Sequence, residues 1–418
     1  MKILLLGLNY APELIGTGPY TTGLVEALAQ RGHEVRAVVG QPYYPGWRPR
    51  PGHRGWSRED LGRARIYRVP HFIPSRPSGV LRLVHQASFA LAATPIMLAE
   101  ALLWRPERVI TIAPSLLAAP LGLLASRLSG AGSWLHLQDF ELEAALATGL
   151  VSTNHTIIKL LAAAERRILR RFDRVSSISP AMCRRLVEKG VSRERVAEHR
   201  NWGDLTQVMP LGRPSAFRQK WNITTPHIAL YSGALGRKQG LDLVIAAARS
   251  LSDCDDITFV ICGNGPYRAE LEAMAGDLGN MRFFDLQPRE QLSELLGLAT
   301  MHLLPQIAGA ADLVLPSKLA NMLASGRPVI ATAASGTGIF EEIEGCGLAV
   351  EPGDAAALSA AIERLCDDPA LAENLGATAR RRAERRWHRE TILAHFVGAI
   401  EAADRNPSLA PVAESQHR

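Results

Sequence analysis

The amino-acid sequence predicts an α/β protein made of two doubly wound domains facing a central cleft, and three observations carry that prediction. Short apolar runs alternate with helical stretches, the same alternation occurs twice along the chain, and glycine-containing turns follow several of the apolar runs. With 418 residues the chain is long enough for two domains of ordinary size. A composition of 47 % hydrophobic and 21 % charged residues fits a folded enzyme and excludes a disordered or fibrous chain. The five cysteines, Cys183, Cys254, Cys262, Cys346 and Cys366, are scattered and form no CxxC pair, so neither a disulfide framework nor a zinc site is indicated. That usage fits a reducing, cytoplasmic setting.

In the first half the strand-like runs are residues 2–8, 33–40, 108–114, 133–139 and 174–179. A second set follows at 227–235, 257–265, 281–287, 301–306, 327–334 and 347–352. The expected division is therefore 1–205, 206–390 and a C-terminal segment 391–418, whose helix is expected to pack back on the first domain ahead of a polar tail. Ligand is expected where the carboxyl ends of both sheets face each other. The opening "MKILLLGLNYAPE" reads as a first strand and not as a signal peptide. The long apolar stretch 88–104 contains Pro95 and Glu100 and is barely long enough for a bilayer, so it reads as a buried or interfacial helix. The net charge of +6 suits nucleic acid, anionic lipid or a phosphorylated substrate alike.

Three turns have the composition of an anion site. Gly16 and Gly18 lie between the first strand and a helix, in a pattern that is neither G-x-G-x-x-G nor a P-loop. In the second half "YSGALGRKQGLD" places Gly233, Arg237 and Lys238 between strand and helix, where cations and free helix amides suit a diphosphate. "ICGNGPYRAEL" repeats the arrangement with Gly263 and Gly265. In "LPSKLANMLASGRPVI" (315–330) Leu315 ends a loop, and Ser317, Lys318 and Asn321 open a helix. Ser317 is placed to cap it and Asn321 to bond a ribose hydroxyl. A cation such as Lys318 is disfavoured at a helix amino end unless an anion sits there. Asp253-x-Asp255 resembles a metal-binding DxD but precedes a strand, at the wrong end of the sheet, so no metal site is assigned.

Together with "PYYPGW" (42–47), "LHLQDFELEAA" (135–145), "NWGD" (201–204) and "AADLVLPSKLANMLASGRPV", these stretches resemble the retaining GT-B glycosyltransferases of family 4. Within it they resemble the WcaI-type subfamily of colanic acid biosynthesis in bacterial exopolysaccharide assembly. The resemblance covers nearly the whole chain. It implies two Rossmann-like domains, an acceptor-binding one first and a nucleotide-sugar-binding one second, and a metal-independent, retaining hexosyl transfer with no cofactor. The family's donor-binding arginine and lysine fall on Ala234 and Gln239, which leaves Lys238 and Lys318 to neutralise the diphosphate. The ribose-gripping glutamate falls on Asn321, and Asp312 is the acid nearest to the other glutamate. The acceptor-side His-Asp pair becomes Gln138-Asp139, with Asp139 orienting the acceptor hydroxyl. Lys238, Lys318 and Asp139 are thus the expected catalytic groups. Gly16, Gly18, Gly233, Arg237, Gly263, Asp312, Leu315, Ser317 and Asn321 are the expected donor-binding residues.

The stretch "TIIKLLAAAERRILRRFDR" (156–174) sets Arg166, Arg167, Arg170 and Arg171 at helical spacing against Leu160, Leu161, Ile168 and Leu169. A basic amphipathic helix of this kind reads either as a seat on anionic lipid or as a solvated surface face. The resemblance favours lipid, because it implies a lipid-diphosphate-linked saccharide acceptor and a peripheral position on the inner face of the cell membrane. GDP-fucose or a UDP- or GDP-hexose is the implied donor. Nucleic acid is disfavoured, since the cations are not interleaved with aromatics. Two other classes stay open: a GT-B sugar-nucleotide 2-epimerase, which needs cleft carboxylates and histidines for proton abstraction, and a non-catalytic binding partner.

Overall fold

A computed structural model describes residues 1–14, 16–75, 79–113, 116–140, 155–203, 205–307 and 315–405. It divides into two compact units, one of Met1–Arg200 with the chain from Leu393 onward, the other of Asn201–Ile392. The first boundary falls at 200/201 where the sequence suggested 205/206, and the second at 392/393 where it suggested 390/391.

The first unit contains an eight-stranded sheet in the order β3-β4-β2-β1-β5-β6-β7-β8. Its strands are β1 (Lys2–Gly7), β2 (Glu34–Gly40), β3 (Ser57–Leu61), β4 (Ala64–Val69), β5 (Arg108–Ala113), β6 (Gly132–Leu137), β7 (Arg174–Ser177) and β8 (Val196–Glu198). All neighbours pair parallel except β3 with β4. The interior strands read as unbroken apolar runs because helices cover them: β5, for example, is buried at every position. Helix α1 (Gly18–Gln30) joins β1 to β2, α2 (Gly79–Ala99) precedes β5, α3 (Ala119–Ser129) joins β5 to β6, α4 (His155–Leu169) precedes β7, and α5 (Pro180–Glu188) joins β7 to β8. The 88–104 stretch forms the latter part of α2 and a π-helical turn at Glu100–Trp104. Its inner side chains Phe89, Ala93, Met97 and Ala101 are fully buried against Leu4, Leu6 and Val109.

The hairpin β3–β4 and the short β8 were not expected from the sequence. β3, "SREDL", is exposed at every position and has no apolar period to read. Asp60 holds it by accepting from Arg58 at 2.7 Å and from Arg65 of β4 at 2.5 Å.

The second unit contains a six-stranded, wholly parallel sheet ordered β11-β10-β9-β12-β13-β14. Its strands are β9 (His227–Ser232), β10 (Ile257–Cys262), β11 (Met281–Phe284), β12 (Met301–Leu304), β13 (Val329–Thr332) and β14 (Gly347–Val350). Each lies inside one of the six runs expected from the sequence. The strand order reverses between β9 and β12, which opens a crevice at their carboxyl ends, the position where doubly wound sheets take ligands. Helix α6 (Ala216–Lys220) precedes this sheet. The remaining helices of the unit are α7 (Asp242–Ser250), α8 (Arg268–Ala275), α9 (Leu292–Leu298), α10 (Ser317–Ala324), α11 (Gly338–Ile343), α12 (Ala355–Asp367) and α13 (Pro369–Arg386). The last helix, α14 (Arg389–Arg405), counts with the first unit from Leu393. There Phe396 stacks on His199 with ring centroids 3.9 Å apart and meets Trp134 at 5.7 Å.

Candidate donor and acceptor sites

The crevice of the second unit is built by turns that carry no bulk. After β9 the chain turns at Gly233; after β10 it turns through Gly263 and Gly265. The two turns are laced by backbone bonds: Gly233 N–H donates to the Cys262 carbonyl at 3.0 Å, Leu235 N–H to Asn264 at 3.0 Å, and Tyr267 N–H to Leu235 at 3.2 Å. A Cβ on Gly263 would stand 1.8 Å from the Gly233 carbonyl oxygen, so the turns approach this closely only because that position is glycine. The missing side chain at Gly263 is thereby explained by turn-to-turn packing.

Lys318 enters this crevice from the first turn of α10. Its ammonium lies 3.9 Å from the centroid of the Tyr231 ring, a cation–π contact. A Cβ on Gly233 would be 3.7 Å from the same nitrogen. Tyr231, at the end of β9, is fixed by donating its hydroxyl to the Ala234 carbonyl at 2.7 Å. Among the described residues no carboxylate forms an ion pair with Lys318, and desolvation lowers its pKa from 10.5 to about 7. A half-buried, desolvated cation beside a helix amino end, with an aromatic face as its neighbour, lacks the counter-charge that an anionic ligand would supply.

Other residues singled out in the sequence divide. Ser317 is exposed and is the first residue of α10; the cap position belongs to Pro316, and no side chain caps the helix. The expected cap is corrected by one residue, and the Ser317 hydroxyl stays available at the helix start. Leu315 is 5 % exposed and packs in the core with Leu319 and Met322, so its side chain serves packing and not a ligand. Asn321 is half-buried, its Oδ1 beside Gly203. Asp312 lies outside the described residues. Arg237 forms an ion pair with Glu270 of α8 and lies over the Tyr267 ring at 4.6 Å, both ends of the pair being largely exposed. Its charge is thus already shared with a surface carboxylate. Lys238, its neighbour in a short 3₁₀ turn, is exposed. Asp253 and Asp255 lie between α7 and β10, at the amino end of the strand.

In the first unit the Gly16–Gly18 turn is shaped by Glu13. This buried carboxylate accepts from Asn9 Nδ2 and from the backbone N–H groups of Tyr43 and Tyr44, each at 2.9 Å. Burial nevertheless raises its pKa. Gly16 has φ +73°, and a Cβ there would lie 3.0 Å from the Tyr44 ring. Asp139 is half-buried, just beyond the carboxyl end of β6. Beside it, the Gln138 amide sits 2.9 Å from His136 Nε2, and His136 Nδ1 sits 2.9 Å from the Ser176 hydroxyl. His136 is 4 % exposed, and burial pushes its pKa down to about 3, so this imidazole stays neutral and is a poor proton acceptor. On α4 and just after it, Arg166, Arg167, Arg170 and Arg171 are all exposed, with Leu160 and Leu161 also reaching solvent. The Arg170 guanidinium lies against Gly190.

Residues 16–202 match the glycosyl transferase 4-like domain family and residues 215–382 match glycosyl transferases group 1. The chain is 39 % identical over 411 residues to the Escherichia coli (strain K12) glycosyl transferase WcaI, assigned to colanic acid biosynthesis, covering 96 % of this chain and 100 % of that one. The chain belongs to the glycosyltransferases. Among solved structures this glycosyltransferase is similar in fold to sucrose-phosphate synthase from Thermosynechococcus elongatus (TM-score 0.74, 20 % identity, covering 96 % of this chain and 98 % of that one). It is similar also to Anabaena HepE, solved in complex with UDP (TM-score 0.71, 16 % identity, covering 96 % and 100 %). The fold is GT-B, as expected from the sequence.

Two polar groups of this glycosyltransferase, Tyr231 and Gln306, escaped the sequence reading, and a third, Gln239, stands in it only as the place of a missing lysine. Tyr231 sits in an apolar strand and reads as core until Lys318 is found on its face. Gln239 and Gln306 each bury a side-chain oxygen without a hydrogen-bond partner among the described residues. Gln239 closes the turn after β9 and Gln306 follows β12, the two strands flanking the crevice. Their side-chain amides are suited to bonding sugar or phosphate groups.

Proposed function

We propose that this glycosyltransferase moves a sugar, with retention and without a metal ion, from a nucleotide-diphosphate donor to a lipid-diphosphate-linked saccharide during bacterial exopolysaccharide assembly, working on the cytoplasmic face of the membrane. The observation that carries the donor part is Lys318: a desolvated ammonium with no carboxylate partner among the described residues, at the amino end of α10 and beside the Gly233 turn. A diphosphate there would restore the charge balance and meet the free amides of the helix start.

The chemistry asked of these residues is mainly electrostatic. As the bond from the sugar to the diphosphate breaks, negative charge grows on the leaving oxygen, and Lys318, Lys238 and the α10 amides stabilise it more in the transition state than in the ground state. The leaving oxygen takes the acceptor's proton on the same face of the sugar, which gives retention and needs no side-chain base. His136 being buried and neutral is consistent with that economy. Asp139 orients the acceptor hydroxyl. Asn321 and Ser317 take hydroxyl groups of the donor, and α4 rests on anionic lipid. The likeness to WcaI, assigned to colanic acid biosynthesis, supports a saccharide of that type as acceptor; the donor that we propose is GDP-fucose or a UDP- or GDP-hexose.

The test is a thermal-shift series with GDP, UDP, TDP and ADP, in EDTA, on the wild type and Lys318→Ala. One diphosphate raising the melting temperature of the wild type and failing to raise that of the variant supports the site and names the base. No shift with any of them, or equal shifts in both proteins, rejects the donor assignment and favours a non-catalytic partner.

A further inference from the structure

Helix α2 is largely apolar, and its two sides have different fates. With the following π-turn it is long and apolar enough, by length and composition, to cross a membrane. One stripe is committed to the fold: His85, Phe89, Ala93, Met97 and Ala101 are buried, and Glu100 makes an ion pair with Arg36 of β2. The opposite stripe meets solvent. Val80 is 70 % exposed, Leu91 75 % and Leu103 85 %, with Val84 and Leu102 between them. Scattered apolar residues on a surface are ordinary, but a stripe running the length of a helix marks an interface.

The stripe is continuous with a helical layer of mixed character. The connections through α2, α3 and α4 all run the same way along the sheet, and right-handed crossovers place them on one face. α3 packs beside α2 and adds exposed Leu124 and Leu128. α4 covers the same hydrophobic core, Leu169 and Leu123 both belonging to it, and adds its basic residues. Charge then selects the occupant. α2 and α3 contain Arg82 and Arg127, both exposed, and no acidic residue. The acid of α4, Glu165, is buried and bonded to Lys189. A second copy docked face to face would bring these cations together without counter-charge, whereas an anionic bilayer supplies both apolar depth and negative headgroups.

We propose that α2 lies in the plane of an anionic membrane, with its outer stripe inserted at the boundary of headgroups and acyl chains, beside α4 resting on the headgroups. It does not span, because its inner stripe is the core of the first unit. This deepens the functional reading, which places only α4 on lipid, and takes from it no more than the lipid-linked acceptor.

Flotation of the full chain with vesicles of phosphatidylcholine, alone or mixed with phosphatidylglycerol, at low and high salt, tests the proposal. The wild type should bind the anionic vesicles and keep a salt-resistant share of that binding. Leu91→Glu/Leu103→Glu should lose about tenfold or more of the salt-resistant share. Leu91→Ala/Leu103→Ala, which cannot disturb the fold through charge, should likewise lose about tenfold or more. Arg166→Glu/Arg167→Glu should lose the preference for anionic vesicles and keep salt-resistant binding. Binding abolished by salt in the wild type, unchanged flotation of both leucine variants, or a wild-type dimer that the leucine variants break would each overturn the insertion. Thermal shift by the nucleoside diphosphate, measured on the same samples, separates the readings: its absence with normal flotation removes the donor site and leaves the membrane seat.

Discussion

Two cationic turns lie at the carboxyl ends of the second sheet, and they treat charge in opposite ways. In the turn after β9, Arg237 is neutralised by Glu270 and Lys238 reaches water, so both charges are stable without a ligand. At the start of α10, Lys318 is desolvated against Tyr231 and its pKa falls to about 7. Sequence places basic residues after strands in both turns; only partners and burial separate a solvated charge from one that awaits an anion. A protein that keeps a lysine at such a cost in the unliganded state gains a large differential when the anion arrives, which is the form of binding that catalysis uses.

The sharpest way to break the comparison is to remove the two cations separately. Lys318→Met should lower kcat/KM by about 100-fold, in the range of deleting one preorganised group that stabilises transition-state charge. Gly263→Ala should come next, through stability: its methyl group would collide with the Gly233 carbonyl, and forced repacking of this kind costs about 1–3 kcal/mol, readable as a lower melting temperature. Lys238→Met should weaken donor binding less than about tenfold, with the loss shrinking in high salt, because an exposed charge is screened. Arg237→Met should change donor affinity by about twofold or less, since its guanidinium is spent on Glu270. An Arg237 effect as large as that of Lys318 would erase the distinction.

Stability against pH sharpens the same contrast. The folded-state pKa of Lys318 lies below its value in the unfolded chain, so at about pH 7 and below folding must strip water from a charge. That penalty fades as pH rises from about 7 toward 10.5, and stability rises with it. Lys318→Met should therefore melt higher than the wild type at pH 6, by roughly 2–4 °C for each kcal/mol relieved, with the gap closing in alkali.

Much of the scaffold was legible in sequence because parallel strands buried on both faces read as apolar runs, and the four inner strands of the second sheet, β10, β9, β12 and β13, are of this type. The β3–β4 hairpin was not, because "SREDL" is held by ladder pairing and by Asp60, neither of which leaves a period. In the site, Lys318 could be found because a cation at a helix amino end conflicts with the local dipole. Arg237 could not be told from Lys238, because its partner Glu270 lies 33 positions away. Ser317 misread as a cap for a simpler reason: Pro316 takes that position, one residue earlier.

The central claim is that the desolvated Lys318 ammonium is completed by the donor diphosphate, and proton uptake on binding tests it most directly. Titration calorimetry with the stabilising nucleoside diphosphate at pH 8, in buffers of different ionisation enthalpy, reports that uptake. With a free-state pKa of about 7 that the anion raises, binding should take up close to one proton at pH 8 and almost none at pH 6, and affinity should fall as pH rises above 7, by up to about tenfold per pH unit. Lys318→Met should abolish the uptake. Equal uptake in wild type and variant, or affinity that does not change between pH 6 and pH 9, would contradict the account.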